Sequence, residues 1–217
     1  KYALLSYLVA PVVNKMKGNN TFRFSNDCIA IHWAKALNEL GYIVDIIDWD
    51  DETFITKKKY DLVILHGAKN FNSLRKIITE SRCIVYFSTG MHINYHNRNE
   101  LKRVSDFNKR HGVGLPPDRY IREDEKLVYS TVDGIILLGN DTTRSTYRDY
   151  KNVYQINNAT YFDDQNKNYT RNYIDARDYF LFFAGAGNIH KGLDLLVETF
   201  LELSDKTLYI VTDVEDA

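Results

Sequence analysis

The feature that most constrains the fold is a recurrence of short, unbroken apolar runs separated by helical patterns. Runs rich in Ile, Val, Leu, Tyr and Phe occupy Tyr2–Val9, Ile43–Ile47, Asp61–His66, Cys83–Ser88, Gly134–Gly139, Val153–Ile156, Tyr179–Ala184 and Thr207–Thr212. Several are continuous rather than alternating, which is the mark of strands covered on both faces. The clearest helix is predicted at Asn26–Leu40, where Ile29, Trp33, Ala36, Leu37 and Leu40 recur at helical spacing, Ser25 can cap the start and Gly41 can end it. Further helices are predicted at Leu74–Glu80, Glu100–His111, Asp118–Ser130, Thr142–Tyr150 and Leu193–Leu203. Parallel neighbours need crossover connections, and helices usually supply them. The alternation therefore predicts an α/β protein built on a Rossmann-like, doubly wound parallel sheet.

A chain of 217 residues, 44% hydrophobic and 26% charged, can bury a real core and lies between one domain and two. The polar segment Tyr161–Asp178 reads as a linker. It divides a larger domain, residues 1–175, from a shorter piece, residues 176–217, that holds only strand, helix and strand. That piece cannot readily enclose a core, so it either extends the first sheet or opens a second domain. A net charge of −1 gives no overall basic field, so nucleic acid is not an expected partner. No run of about eighteen apolar residues suggests a membrane span. Cys28 and Cys83 lack zinc-site spacing and read as free thiols of a reducing compartment.

In an open parallel sheet the ligand crevice lies outside the carboxyl ends of the strands, so the loops that follow strands carry the candidates. The first such loop, "APVVNKMKGNNTFRFSN", holds Gly18; "HGAKNFN" begins with His66; "STGMHINYHNRNE" holds His92 and His96; "GNDTTR" holds Asn140. An imidazole titrates near neutrality and suits proton transfer from a hydroxyl, which makes His92, four residues past its strand, the candidate base and His66 its rival. The plainer reading of these histidines is a loop residue hydrogen-bonded to backbone. No carboxylate stands at a spacing that would complete a metal site with His66, His92 and His96, so no metal is expected.

The stretch "FLFFAGAGNIHKGLDLLVETF" has a different chemistry. A helix N-terminus presents unpaired N–H groups and partial positive charge, and small residues just before it let phosphate oxygens approach the backbone. Gly185 and Gly187 keep that approach open, Asn188 follows, and Lys191 adds a point charge. Neither GxxxxGK[ST] nor GxGxxG is present. A glycine turn between strand and helix is also a common structural connection, and both readings stand at this level.

The longer stretch "FLFFAGAGNIHKGLDLLVETFLELSDKTLYIVT" resembles the start of the donor-binding domain of retaining glycosyltransferases of the group 1, family 4-like class, which have the GT-B fold. Lys191, Gly192, Asp194, Leu196, Glu198 and Phe200 stand at the places of that class's Lys-Gly and D-x-L-(I/L)-E-A-F pattern. "LGYIVDIID", "YDLVILH", "IVYFST" and "STVDGIILLGNDTT" fit its acceptor domain more loosely. The arginine frequent after the first glycine corresponds here to Ala186.

The resemblance implies transfer of a sugar from a nucleoside-diphosphate sugar to a hydroxyl acceptor, a glycan, a lipid-linked sugar or another alcohol, without a metal or further cofactor. It implies donor contacts from Gly18, Gly187, Asn188 and Lys191, a place beside the reacting sugar for His92, and acceptor-side places for His66, His96 and Asn140. It also implies a cytoplasmic setting at the inner face of a membrane, with peripheral association, in polysaccharide or glycan assembly. The family's remaining donor carboxylates lie further along the second domain, so residues 1–217 alone are expected to show negligible transfer. The competing expectations are a non-catalytic sugar- or nucleotide-binding module or partner subunit of the same architecture and, less favoured, a nucleotide-sugar epimerase.

Overall fold

The computed structural model describes residues 1–19, 25–158 and 179–212. Six strands form one parallel sheet: β1 (Tyr2–Tyr7), β2 (Ile43–Asp48), β3 (Leu62–Leu65), β4 (Cys83–Ser88), β5 (Gly134–Leu138) and β6 (Val153–Ile156), in the order β2-β1-β3-β4-β5-β6. The flanking helices are α1 (Ala10–Met16), α2 (Ser25–Glu39), α3 (Arg75–Glu80), α4 (Ile93–His111), α5 (Glu125–Thr131) and α6 (Asp141–Ser145). The protein is thus α/β with a Rossmann-like parallel sheet. A separate two-stranded parallel sheet pairs β7 (Tyr179–Phe183) with β8 (Thr207–Val211), joined by α7 (Leu193–Glu202). No helix among the described residues is long and apolar enough to cross a membrane.

Two compact units divide the chain, one containing Lys1–Ile93 and Arg122–Phe162, the other Asn94–Ile121 and Asp163–Ala217. The expected boundary between residues 175 and 176, and the polar linker around it, lie outside the described residues.

In the first unit Ala3, Leu5 and Tyr7 on one face of β1 pack against Ile29, Ala30 and Leu37 of α2, with Ile64, Phe87 and Leu138 from neighbouring strands. Leu4 and Ser6, on the opposite face, are fully buried as well, which is why this strand reads as an unbroken apolar run. The helix ends as its sequence predicts. Gly41 takes a left-handed φ of 82°, its N–H donates to the Asn38 carbonyl, and the Tyr42 N–H donates to the Leu37 carbonyl, closing a Schellman motif.

Three local expectations are corrected. The long first loop contains α1, whose second residue, Pro11, has the fixed φ and missing N–H that suit a helix's first turn. The fourth loop is short, because α4 starts at Ile93 rather than Glu100 and takes His96 into its first turns. Residues 118–124 are not helical. The side-chain amide of Asn97 instead gives and takes a hydrogen bond with the backbone of Ile121, at 2.8 and 3.0 Å, and anchors that irregular segment.

Candidate functional site

The strand order reverses between β1 and β3, and an open parallel sheet offers its crevice at the carboxyl ends of such a pair. His66 is the first residue past β3. Its Nδ1 lies 2.9 Å from the Phe87 carbonyl oxygen, and the edge of Tyr7 and the ring of Trp49 flank it at centroid distances of 5.0 and 6.2 Å. Burial holds the imidazole below its ordinary pKa, the Phe87 carbonyl acting in the opposite sense. Asn70, itself buried, fixes the loop by donating to Ser6 Oγ at 2.9 Å and to the Asp48 carbonyl at 3.3 Å.

His92 sits just before α4 and is only 6% exposed. Its backbone N–H donates to Thr146 Oγ1 at 3.0 Å, and its Nε2 lies 3.2 Å from the Tyr150 hydroxyl. The rings of Tyr129, Tyr147 and Tyr150 surround it at 5.0 to 5.5 Å. Burial lowers its pKa first, with the nearby Lys126 charge adding to the effect. Tyr147 anchors the cluster by sharing a hydrogen bond of 2.8 Å with Ser88 Oγ, while the Tyr129 hydroxyl donates to the buried Glu125 carboxylate. The imidazole expected as a base four residues past its strand is thus packed inside an aromatic cluster.

Two further candidates hold backbone in place. Asn140 caps α6, its Oδ1 accepting from the Thr143 N–H at 3.1 Å. Gly18, at φ 81°, ends α1 in a Schellman motif, with its N–H on the Lys15 carbonyl and the Asn19 N–H on the Asn14 carbonyl.

The second unit contains the loop between β7 and α7. Gly187 takes φ 89°, and a Cβ there would meet the Arg119 side chain at 3.2 Å, so the aliphatic stem of that arginine lies against the glycine. Lys191 Nζ donates to the Gly185 carbonyl at 2.9 Å, folding the amine over the loop. Asn188 Oδ1 accepts from Thr212 at 2.6 Å, and the Asn188 carbonyl receives the Leu193 N–H. His190 Nδ1 lies 2.7 Å from Glu100 Oε2, and His96 Nε2 lies 2.6 Å from the Arg119 carbonyl. The loop therefore brings together Gly185, Gly187, Asn188, His190 and Lys191, with Arg119 and Arg103 beside them; Arg103 Nη1 is 3.6 Å from Glu100.

Along α7, Asp194 and Glu198 meet α4. Arg110 donates to Asp194 and, at 3.1 Å, to Glu198, which also lies 2.8 Å from His111 Nε2. Glu198's carboxyl is held below its ordinary value chiefly by the Arg110 hydrogen bond. Ion pairs this open to solvent add little to stability.

Among the described residues no three His, Cys, Asp or Glu side chains converge as a metal site. Sequence reasoning missed Glu100, Trp49, Tyr7 and Arg119. Only Trp49 carried a visible signal, an indole just after a strand at the rim of the sheet. Comparison with protein-family models, curated proteins and solved structures finds no match to this chain.

Proposed function

We propose that this chain belongs to a nucleotide-sugar-dependent, retaining glycosyltransferase of GT-B architecture. The six-stranded unit is its acceptor-side domain, and β7–α7–β8 is the first βαβ unit of its donor domain. The observation that carries the reading is the loop at Gly185–Gly192, where a left-handed glycine, a helix start and Lys191 occur together after an apolar strand. A diphosphate leaving group develops negative charge as the sugar departs, and fixed cations and N–H dipoles stabilise it most where water is excluded.

The apolar exposure of the small sheet also supports the reading. Phe180, Leu181, Phe183, Tyr209, Ile210 and Val211 are all exposed, whereas parallel strands are normally covered on both faces. On this proposal further strands and helices of a donor domain cover them. The donor is a nucleoside-diphosphate sugar, the acceptor presents a hydroxyl, and Lys191 neutralises the departing diphosphate.

The second reading, a non-catalytic sugar- or nucleotide-binding relative, is favoured by two observations: Ala186 stands where a second cation is frequent, and His92 is packed against Tyr150 rather than presented to a substrate. Assay of the complete protein against UDP-, GDP-, ADP- and dTDP-sugars separates the two. Release of nucleoside diphosphate supports the enzyme, binding without release supports the module, and interconversion of donor sugars without acceptor identifies an epimerase.

A further inference from the structure

Helix α4 has two differently engaged sides within the second unit. Glu100, Arg103 and Arg110 face the glycine loop and α7. On another side Leu101, Val104 and Asn108, at helical spacing, line a recess of about 380 Å³, whose opposite wall is Val113 and Leu115 of the segment that follows the helix. That wall is fixed in place. The Asn108 side-chain amide donates to the Leu115 carbonyl at 2.9 Å and accepts from the Leu115 N–H at 3.0 Å, and the Val113 N–H donates to the Asn108 carbonyl at 3.2 Å. Pro116 and Pro117 then stiffen the chain.

The recess is apolar and open, with a basic edge. Val104 is only 4% exposed, whereas Leu101, Val113 and Leu115 are 49, 47 and 48% exposed, so aliphatic groups surround a mouth that meets water. No carboxylate lines it, and Lys109 does. Arg98, Lys102 and Lys109 stand four and seven residues apart and form an exposed stripe along that edge of α4. Unlike Arg110 and His111, none of the three has a carboxylate partner among the described residues; the Arg98 guanidinium lies over the Tyr95 ring at 4.6 Å. Asp106 stands a row further round the helix.

We infer that this recess is a docking groove for an acidic, amphipathic segment of a partner protein, whose apolar side chains enter between α4 and Val113–Leu115 while its carboxylates meet the Arg98, Lys102 and Lys109 stripe. Charge complementarity selects an acidic occupant. The recessed Val104 floor selects one that brings single side chains, since a bilayer surface meets groups that protrude into it. The inference does not depend on the transferase reading.

The test is selection of an unbiased phage-displayed peptide library on the immobilised chain, followed by titration of the ¹⁵N-labelled chain with a synthetic copy of the most enriched peptide. The inference expects an enriched sequence with net negative charge and apolar residues at helical spacing, amide shifts concentrated at Leu101, Val104, Val113 and Leu115, and an affinity that falls as salt rises. Leu101→Asp, and separately Lys102→Glu combined with Lys109→Glu, change only exposed positions. Each should weaken the peptide roughly tenfold with circular dichroism unchanged. Absence of any enriched peptide, a neutral or basic consensus, shifts outside the groove, or equal affinity for these variants overturns the inference. Without a selected peptide, binding of phosphatidylglycerol vesicles lost in Leu101→Asp assigns the groove to a membrane instead, and self-association lost in Leu101→Asp assigns it to a second copy.

Discussion

His190 Nδ1 donates to Glu100 Oε2 across 2.7 Å, and the Glu100 side chain is completely buried. Burial by itself would raise the carboxyl's pKa, but the His190 hydrogen bond, the His190 charge and the Arg119 N–H outweigh it and hold Glu100 below its ordinary 4.5. The pair ties the glycine-rich loop to α4 within the second unit.

A carboxyl whose folded pKa lies below its unfolded value adds stability above the unfolded value and loses it as pH falls through the folded one. Glu100 should therefore stabilise its unit at neutral pH and cease to do so in acid, below pH 4.5. Glu100→Ala, which takes the buried carboxylate away from the half-buried His190 and the Arg119 N–H, is expected to cost about 2 kcal/mol at pH 7. Hydrogen exchange of the α7 amides reads this directly: faster in the variant at neutral pH, with the gap to wild type narrowing in acid. Equal exchange at pH 7 would show that the pair does not hold the unit together.

Asn140 and Gly18 are each explained by a helix end. Asn140→Ala should cost about 1 kcal/mol in urea unfolding, while Asn140→Asp or Ser, which keep an accepting oxygen, should cost little. Gly18→Ala, at φ 81°, should cost about 1 kcal/mol, and Gly18→Asn less, since asparagine tolerates the left-handed region. An effect of the cap-preserving changes on substrate KM without loss of stability would assign these residues to ligand contact instead.

The tyrosine cluster predicts that His92 acts through packing. His92→Ala should lower stability by about 2 kcal/mol, and Tyr147→Phe, which removes the hydroxyl shared with Ser88, by about 1 kcal/mol. Thermal unfolding and near-ultraviolet circular dichroism check both. If His92→Ala melts with wild-type stability yet abolishes turnover, the imidazole has a direct catalytic role.

The sheet was legible because strands buried on both faces are written in unbroken apolar runs; Leu4 and Leu5, on opposite faces of β1, are both fully buried. The start of α4 was not. One of its inward positions is Glu100, a carboxylate that any hydropathy pattern assigns to solvent, and its partner His190 lies ninety positions away. The irregular run at Ile121 was hidden for a similar reason, since the Asn97 side chain there supplies the backbone's hydrogen bonds. For the candidate site, the sequence indicated which loops follow strands and which residues they carry. It could not say that His92 would be enclosed by Tyr129, Tyr147 and Tyr150 while His66 would lie fixed between Tyr7 and Trp49, because those neighbours are assembled only by the fold.

The most direct test of the central claim is nucleoside-diphosphate release by the complete protein, wild type against Lys191→Ala, across a panel of nucleotide sugars. The account predicts that at least one donor is consumed, and that Lys191→Ala lowers kcat/KM by roughly a hundredfold, on the order of 2.7 kcal/mol of transition-state stabilisation, with circular dichroism unchanged. Consumption of no donor, or equal kcat/KM for wild type and variant, would contradict it.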